Sequence, residues 1–170
     1  AFSRILRLGV TFFGPFGVAA VVLAVALPAY LSLVWFSFYT AITNLFIPWL
    51  PHEPMVLLYG ALFAPWLVAL LGGIATCWVE FFNYPLLRLA LNVRPIREIT
   101  KKKPYQVAER WFNKSPFLVL VFAGVSPLPY APFRVFSVRS GYPLGRYLLA
   151  VFVARTPRYY VLALAGEAIN

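Results

Sequence analysis

Four side chains in this 170-residue chain stand where charge is expensive: Glu53, Glu80, Arg134 and Arg139. Each lies in strongly apolar, aromatic-rich sequence. A carboxyl group in such surroundings is suited to proton exchange, because burial disfavours its charged form. A guanidinium there is suited to a phosphate, since its planar fork donates two hydrogen bonds at once. An arginine facing lipid at the bilayer centre costs roughly 2.5–3.5 kcal/mol on insertion scales. Arg134 and Arg139 are therefore expected to turn inward, towards Glu53 or Glu80 or towards an anionic ligand. Arg155 and Arg158, placed near a helix end, are expected to snorkel.

Prolines flank these groups in two clusters. Pro48, Pro51 and Pro54 surround the His52-Glu53 pair, and Pro127, Pro129 and Pro132 run up to Arg134. Proline removes a backbone donor and interrupts a helix. Interrupted backbone at membrane depth survives only where protein or a water-filled cavity covers it. Such a pair of interruptions, one in each half of a chain, points to a transport site between inverted repeats. The breaks at Pro51, Pro54, Pro127, Pro129 and Pro132 are thus expected to form two opposed re-entrant hairpins meeting near the midplane.

The elements that must position these residues are membrane helices. The chain is 62% hydrophobic and only 12% charged, with a mean hydropathy of +0.78. No charged side chain occurs between Arg7 and Glu53, or between Glu53 and Glu80. Both runs exceed the about 20 apolar residues that cross a bilayer, and the first is far too long for the core of a signal peptide. The fold class expected is an all-α integral membrane protein. A helix is predicted from about Phe16 to Tyr39, kinked near Pro28. A half-helix, a turn near Gly60 to Pro65 and a full crossing ending around Arg88 follow. Residues 116–132 are too short and too broken for a crossing, and a last helix begins after Pro143.

Four regions result: an N-terminal transmembrane helix (1–45), the first hairpin with its transmembrane helix (46–91), a basic linker (92–115), and the second hairpin with the C-terminal helix (116–170). Seven of the fifteen lysines and arginines fall between Arg94 and Lys114, which places that linker on the cytoplasmic side and near anionic headgroups. Within it, Val107, Ala108, Trp111 and Phe112 recur at helical spacing, the pattern of a short amphipathic helix lying on the membrane surface with Trp111 at headgroup level. One cysteine and one histidine leave no basis for a metal centre, and nothing in the chain resembles a nucleic-acid reader.

Three stretches in this order resemble the DedA family, whose shared region is also called the VTT or SNARE-associated domain. IPWLPHEPMVLLYGALF is similar to its first re-entrant motif, with Glu53 at the acidic place. GGIATCWVEFFNYPLLR is similar to the segment carrying Glu80, Tyr84 and Arg88 at four-residue steps. The run through SPLPYAPFRVFSVRSGYP resembles the second motif, closing at Gly141. The arginine that the family places ahead of that motif has no counterpart at Ala123-Gly124, and Arg139 is the candidate substitute.

The resemblance implies a transporter or scramblase, not an enzyme, that moves a phospholipid or polyprenyl phosphate across the bilayer, coupled in bacteria to protons. Its partners would be membrane lipids, its location the bacterial inner (plasma) membrane, and no cofactor is implied. Glu53 and Glu80 would serve proton coupling, and Arg134 with Arg139 would hold the phosphate. Another reading stays open: a structural or accessory subunit of a larger membrane complex, since the aromatic richness also suits packing against partner helices; a transporter would stand alone or as a small homo-oligomer.

Overall fold

The computed structural model describes residues 2–45, 52–91, 103–126 and 130–169. Of the proline breaks, Pro51, Pro127 and Pro129 lie outside the described residues, as does most of the basic run after Arg94. Among the described residues there are eight α-helices and no strand: α1 (Phe2–Ala26), α2 (Leu31–Thr43), α3 (Glu53–Leu62), α4 (Pro65–Ala90), α5 (Lys103–Lys114), α6 (Pro116–Val125), α7 (Ala131–Arg139) and α8 (Leu144–Ile169).

Proline decides where several of these helices begin. Pro54, Pro65, Pro116 and Pro132 each sit in the first turn of α3, α4, α6 and α7. There the missing N–H would have had no partner anyway, and the fixed φ suits the helix. So Pro54 and Pro132, expected as breaks, open the helices that follow them. The turn between α3 and α4 is Phe63-Ala64, within the predicted range.

α4 and α8 are long and apolar enough to cross a membrane. At 26 residues each they reach about 39 Å, against about 30 Å of hydrocarbon. α3 and α6 have ten residues each, or about 15 Å, half that thickness. α8 is central, packing against α4, α3 and α6, while α2 packs on α4.

The expected single helix from Phe16 to Tyr39 is corrected. α1 ends at Ala26, a 3₁₀ turn occupies Pro28–Tyr30, and α2 begins at Leu31. The rings of Phe13 and Phe16 both meet Phe38, with centroids 5.9 and 5.6 Å apart. In one continuous helix residues so far apart in sequence would be separated by about 33 Å. The chain reverses at Pro28 instead of kinking, and α2 folds back along α1.

The amphipathic linker helix also differs from expectation. Trp111 and Val107 are exposed, but Phe112 is 2% exposed. It belongs to the core that includes Tyr84, Leu87 and Phe136, its ring 5.7 Å from that of Tyr142. α5 is docked on α6 and α7 through a residue expected on the membrane-facing side.

α7 ends in a full C-terminal cap. Gly141 has φ +67°, the left-handed conformation that glycine adopts without a Cβ clash. Its N–H donates to the Val138 carbonyl at 3.2 Å, and the Tyr142 N–H donates to the Ser137 carbonyl at 2.9 Å. This pair of bonds is the Schellman arrangement. The Tyr84 hydroxyl, from α4, donates to the Ser137 carbonyl at 3.2 Å and to that of Tyr142, fixing the turn that sets the direction of α7.

Candidate functional site

Among the described residues two ion pairs cross the bundle, each joining a long helix to a short one. In the first, Arg134 of α7 meets Glu80 of α4. The other carboxylate oxygen of Glu80 accepts the Tyr147 hydroxyl from α8 at 2.8 Å. The side chains are 13% and 2% exposed, so three helices converge on a carboxylate closed off from solvent. In the second, Arg158 of α8 meets Glu53, the first residue of α3. Here the side chains are 24% and 42% exposed.

Arg158 does more than pair. Its second terminal nitrogen donates to the Ser126 carbonyl at 3.2 Å. Glu53 opens α3 within the first proline cluster, and Ser126 closes α6 before the second. One guanidinium thereby ties together the ends of the two short helices, which are remote in sequence. α4 anchors the same region from its other side: Asn83 donates to the Asn44 carbonyl at 3.0 Å, holding the end of α2 less than one turn from Glu80.

A polar group gathers around this junction. The Arg155 guanidinium lies 5.2 Å from the centroid of the Tyr130 ring, and that of Arg134 lies 6.0 Å from it. His52 is buried, its ring 5.4 Å from that of Tyr159, whose hydroxyl shares a 3.0 Å hydrogen bond with Thr76. Among the described residues no three histidine, cysteine or carboxylate groups come together as a metal site would require.

The expected site residues are thus distributed in a specific way. Glu80 and Arg134 are brought together, while Glu53 is joined by Arg158, an arginine expected to snorkel. Arg139 is exposed at the last turn of α7 and does not turn inward. Its charge complements the helix dipole there. At Gly124 itself there is no room for an arginine: a Cβ there would lie 2.6 Å from that of Ala154. Of the four-residue series on α4, Glu80 and Tyr84 are buried whereas Arg88 is exposed.

Tyr147, Arg155 and Arg158 were missed as site residues, yet a signal for two of them existed. Tyr147, Val151, Ala154 and Arg158 follow at steps of four, three and four, which is one face of a helix. Three of the four are buried, so the stripe faces inward and carries Arg158 with it.

Comparison with protein families matches the VTT domain over residues 50–168. No curated protein matches the chain, and no solved structure does.

Proposed function

The chain belongs to the VTT-domain (DedA/SNARE-associated) family of membrane proteins, and from that premise we propose that it moves a phosphate-bearing lipid across the bilayer. Members of the family are generally transporters or scramblases rather than enzymes. The observation that carries the reading is the bridge made by Arg158. Two helices of half-membrane length end against one another through a guanidinium, a carboxylate and an open carbonyl. Charge of this kind inside an apolar protein marks a pathway for ions or substrate.

In this reading α2–α3 and α6–α7 enter the membrane from opposite faces and turn back at the two proline clusters. Residues 92–115 are cytoplasmic. Glu53, half-open to solvent, exchanges the proton and releases Arg158 when it is neutral. Arg158 then binds a phosphate in place of the carboxylate. Glu80, with Arg134 and Tyr147, holds the fixed wall against which this exchange takes place. A phospholipid and a polyprenyl phosphate both meet these requirements.

The test is reconstitution of the purified chain into liposomes containing a fluorescent phospholipid or a polyprenyl phosphate, with flipping followed at two pH values. Flipping that depends on both Glu53 and Arg158 supports the reading. Absence of flipping for either lipid, together with co-purification of a fixed set of other chains, would favour an accessory subunit.

A further inference from the structure

We infer that α3, with the adjoining ends of α4 and α8, swings as one body about a hinge made by Gly72-Gly73 of α4 and Thr156-Pro157 of α8. The inference rests on the transport reading for what the motion serves, while the hinge itself stands on the packing.

The first observation is that these four residues lie between two cores. One hydrophobic cluster takes Tyr84 and Leu87 from α4 and Tyr147 and Val151 from α8, together with α6 and α7. Another takes Val68 and Ala69 from α4 and Tyr159 and Ala163 from α8, together with α2 and α3. The two share no residue, and among the described residues only α4 and α8 enter both. On α4 the boundary falls at Gly72-Gly73, and on α8 at Thr156-Pro157. Pro85, also inside α4, marks no boundary, because Tyr84 and Leu87 on either side of it lie in one cluster. Beyond the boundary, α3 is seated so closely on α8 that a Cβ at Gly60 or Gly166 would run into the opposite backbone. It turns into α4 through two residues, Phe63-Ala64, so these three segments move together.

The second observation is that both helices are weak where they cross. Proline lacks the N–H that would bond the carbonyl four residues back, here that of Val153, and small-residue pairs bend a helix at similar places. The two weak points touch. A Cβ on Gly73 would lie 2.2 Å from the Thr156 Oγ1, and one on Gly72 2.9 Å from the Tyr159 ring. At those two positions α4 has no side chain to fix one crossing angle. An apolar groove of about 460 Å³ adjoins the same stretch, with Leu67 and Leu71 of α4 on one side and Leu23 and Val34 of α1 and α2 on the other. The first turns of α4 therefore have space on the side of α1 and α2.

Thr156 supplies the third observation. Thr11, Ser37, Thr76 and Ser137 each donate to the carbonyl four residues back, at 2.8–2.9 Å. The Thr156 Oγ1 is turned to Gly73 instead and is buried with no hydrogen-bond partner among the described residues, which native proteins rarely leave uncompensated. A bend that lifts Thr156 off Gly73 lets its hydroxyl turn back to the Phe152 carbonyl. The Tyr159 and Thr76 hydroxyls, 3.0 Å apart beside the crossing, form the pivot. Arg158, the residue after Pro157, donates to the Ser126 carbonyl at the end of α6 at 3.2 Å and is the latch. A bend of about 20° would carry the end of α8, about 18 Å beyond Pro157, through about 6 Å.

The experiment measures distances between paired spin labels on the full chain in liposomes, in a Cys77→Ser background. One pair, Leu62 on α3 and Leu118 on α6, spans the hinge, and the other, Leu62 and Val161 on α8, lies within the moving body; all three side chains are exposed. Arg158→Gln, which opens the latch, should shift the first distance by about 6 Å and leave the second unchanged. Adding Pro157→Ala should abolish the shift, and adding Thr156→Val, which keeps the shape but not the hydroxyl, should cut the share of shifted molecules several-fold. If Arg158→Gln does not fold, the parent answers the same question: its first distance should span both arrangements and lose the swung one in Pro157→Ala. No shift, equal shifts in both pairs, or a shift that survives Pro157→Ala would overturn the inference. Flipping measured in the same liposomes separates the two claims. A shift without flipping sinks the transport reading and leaves the hinge, whereas flipping at the parent's rate in a Pro157→Ala chain that no longer swings leaves transport and sinks the hinge as its moving part.

Discussion

Glu80–Arg134 and Glu53–Arg158 are the same chemistry in two settings. The Glu80 pair is closed off, with its second oxygen already taken by Tyr147. The Glu53 pair is half-open, with one arginine nitrogen spent on a backbone carbonyl. Two charges taken out of water cost more than their attraction returns unless every partner is in place. An open pair gains little, because water and salt screen it. The difference separates tasks: the closed pair sets the position of α7 relative to α4 and α8, and the open pair is free to exchange partners.

The largest effect should come from opening the closed pair. Arg134→Ala or Glu80→Gln leaves an uncompensated buried partner, and about 3–5 kcal/mol of stability should be lost, read as a large fall in melting temperature in detergent. Replacing both together by apolar residues of similar volume, Glu80→Leu with Arg134→Met, should restore most of it. If the double variant is as unstable as the singles, the pair is not the simple clamp described here. Next in size is Tyr147→Phe, which strips Glu80 of a hydrogen bond to a charged group, about 1.5–3 kcal/mol. Its loss should vanish in a Glu80→Gln background if the two act as one unit, as a double-mutant cycle would show.

The open pair should behave in the opposite sense. Arg158→Gln or Glu53→Gln should shift stability by no more than about 1 kcal/mol while stopping lipid movement. Loss of stability as large as at Glu80 would erase the contrast between the two pairs. The smallest effect expected is that of salt. Raising ionic strength should weaken the contribution of Glu53 to melting but leave that of Glu80 unchanged, because exposed charges are screened and buried ones are not.

Much of this arrangement was legible in the residues. The turn before Pro65 and the inward course of Arg134 follow from local rules, whereas Pro54 and Pro132, expected as breaks, open helices instead. Pro28 shows where such rules stop. A proline marks an interruption, but whether the chain then kinks or reverses is decided by what packs beside it, here Phe38 against Phe13 and Phe16. The partner choice of Glu53 was hidden for a similar reason. Distance from a helix end points Arg158 towards snorkelling, although its spacing from Tyr147 puts it on a buried stripe. Periodicity puts Phe112 on the membrane-facing side of its helix, and periodicity cannot tell a lipid from a neighbouring helix.

α3, the short helix that carries Glu53, meets α8 at two places where side chains are absent. A Cβ on Gly60 would run into the backbone of Ala163, and one on Gly166 into the backbone of Leu57. Contact of this kind rests on dispersion between backbones and not on the expulsion of water, which supplies no force between helices in lipid. Hydrophobic association weakens on cooling, whereas this seam has no reason to. A purified preparation kept near freezing should therefore hold Glu53 in register with Arg158 as firmly as a warm one, and replacing lipid with detergent around it should not loosen the helix on which it rides.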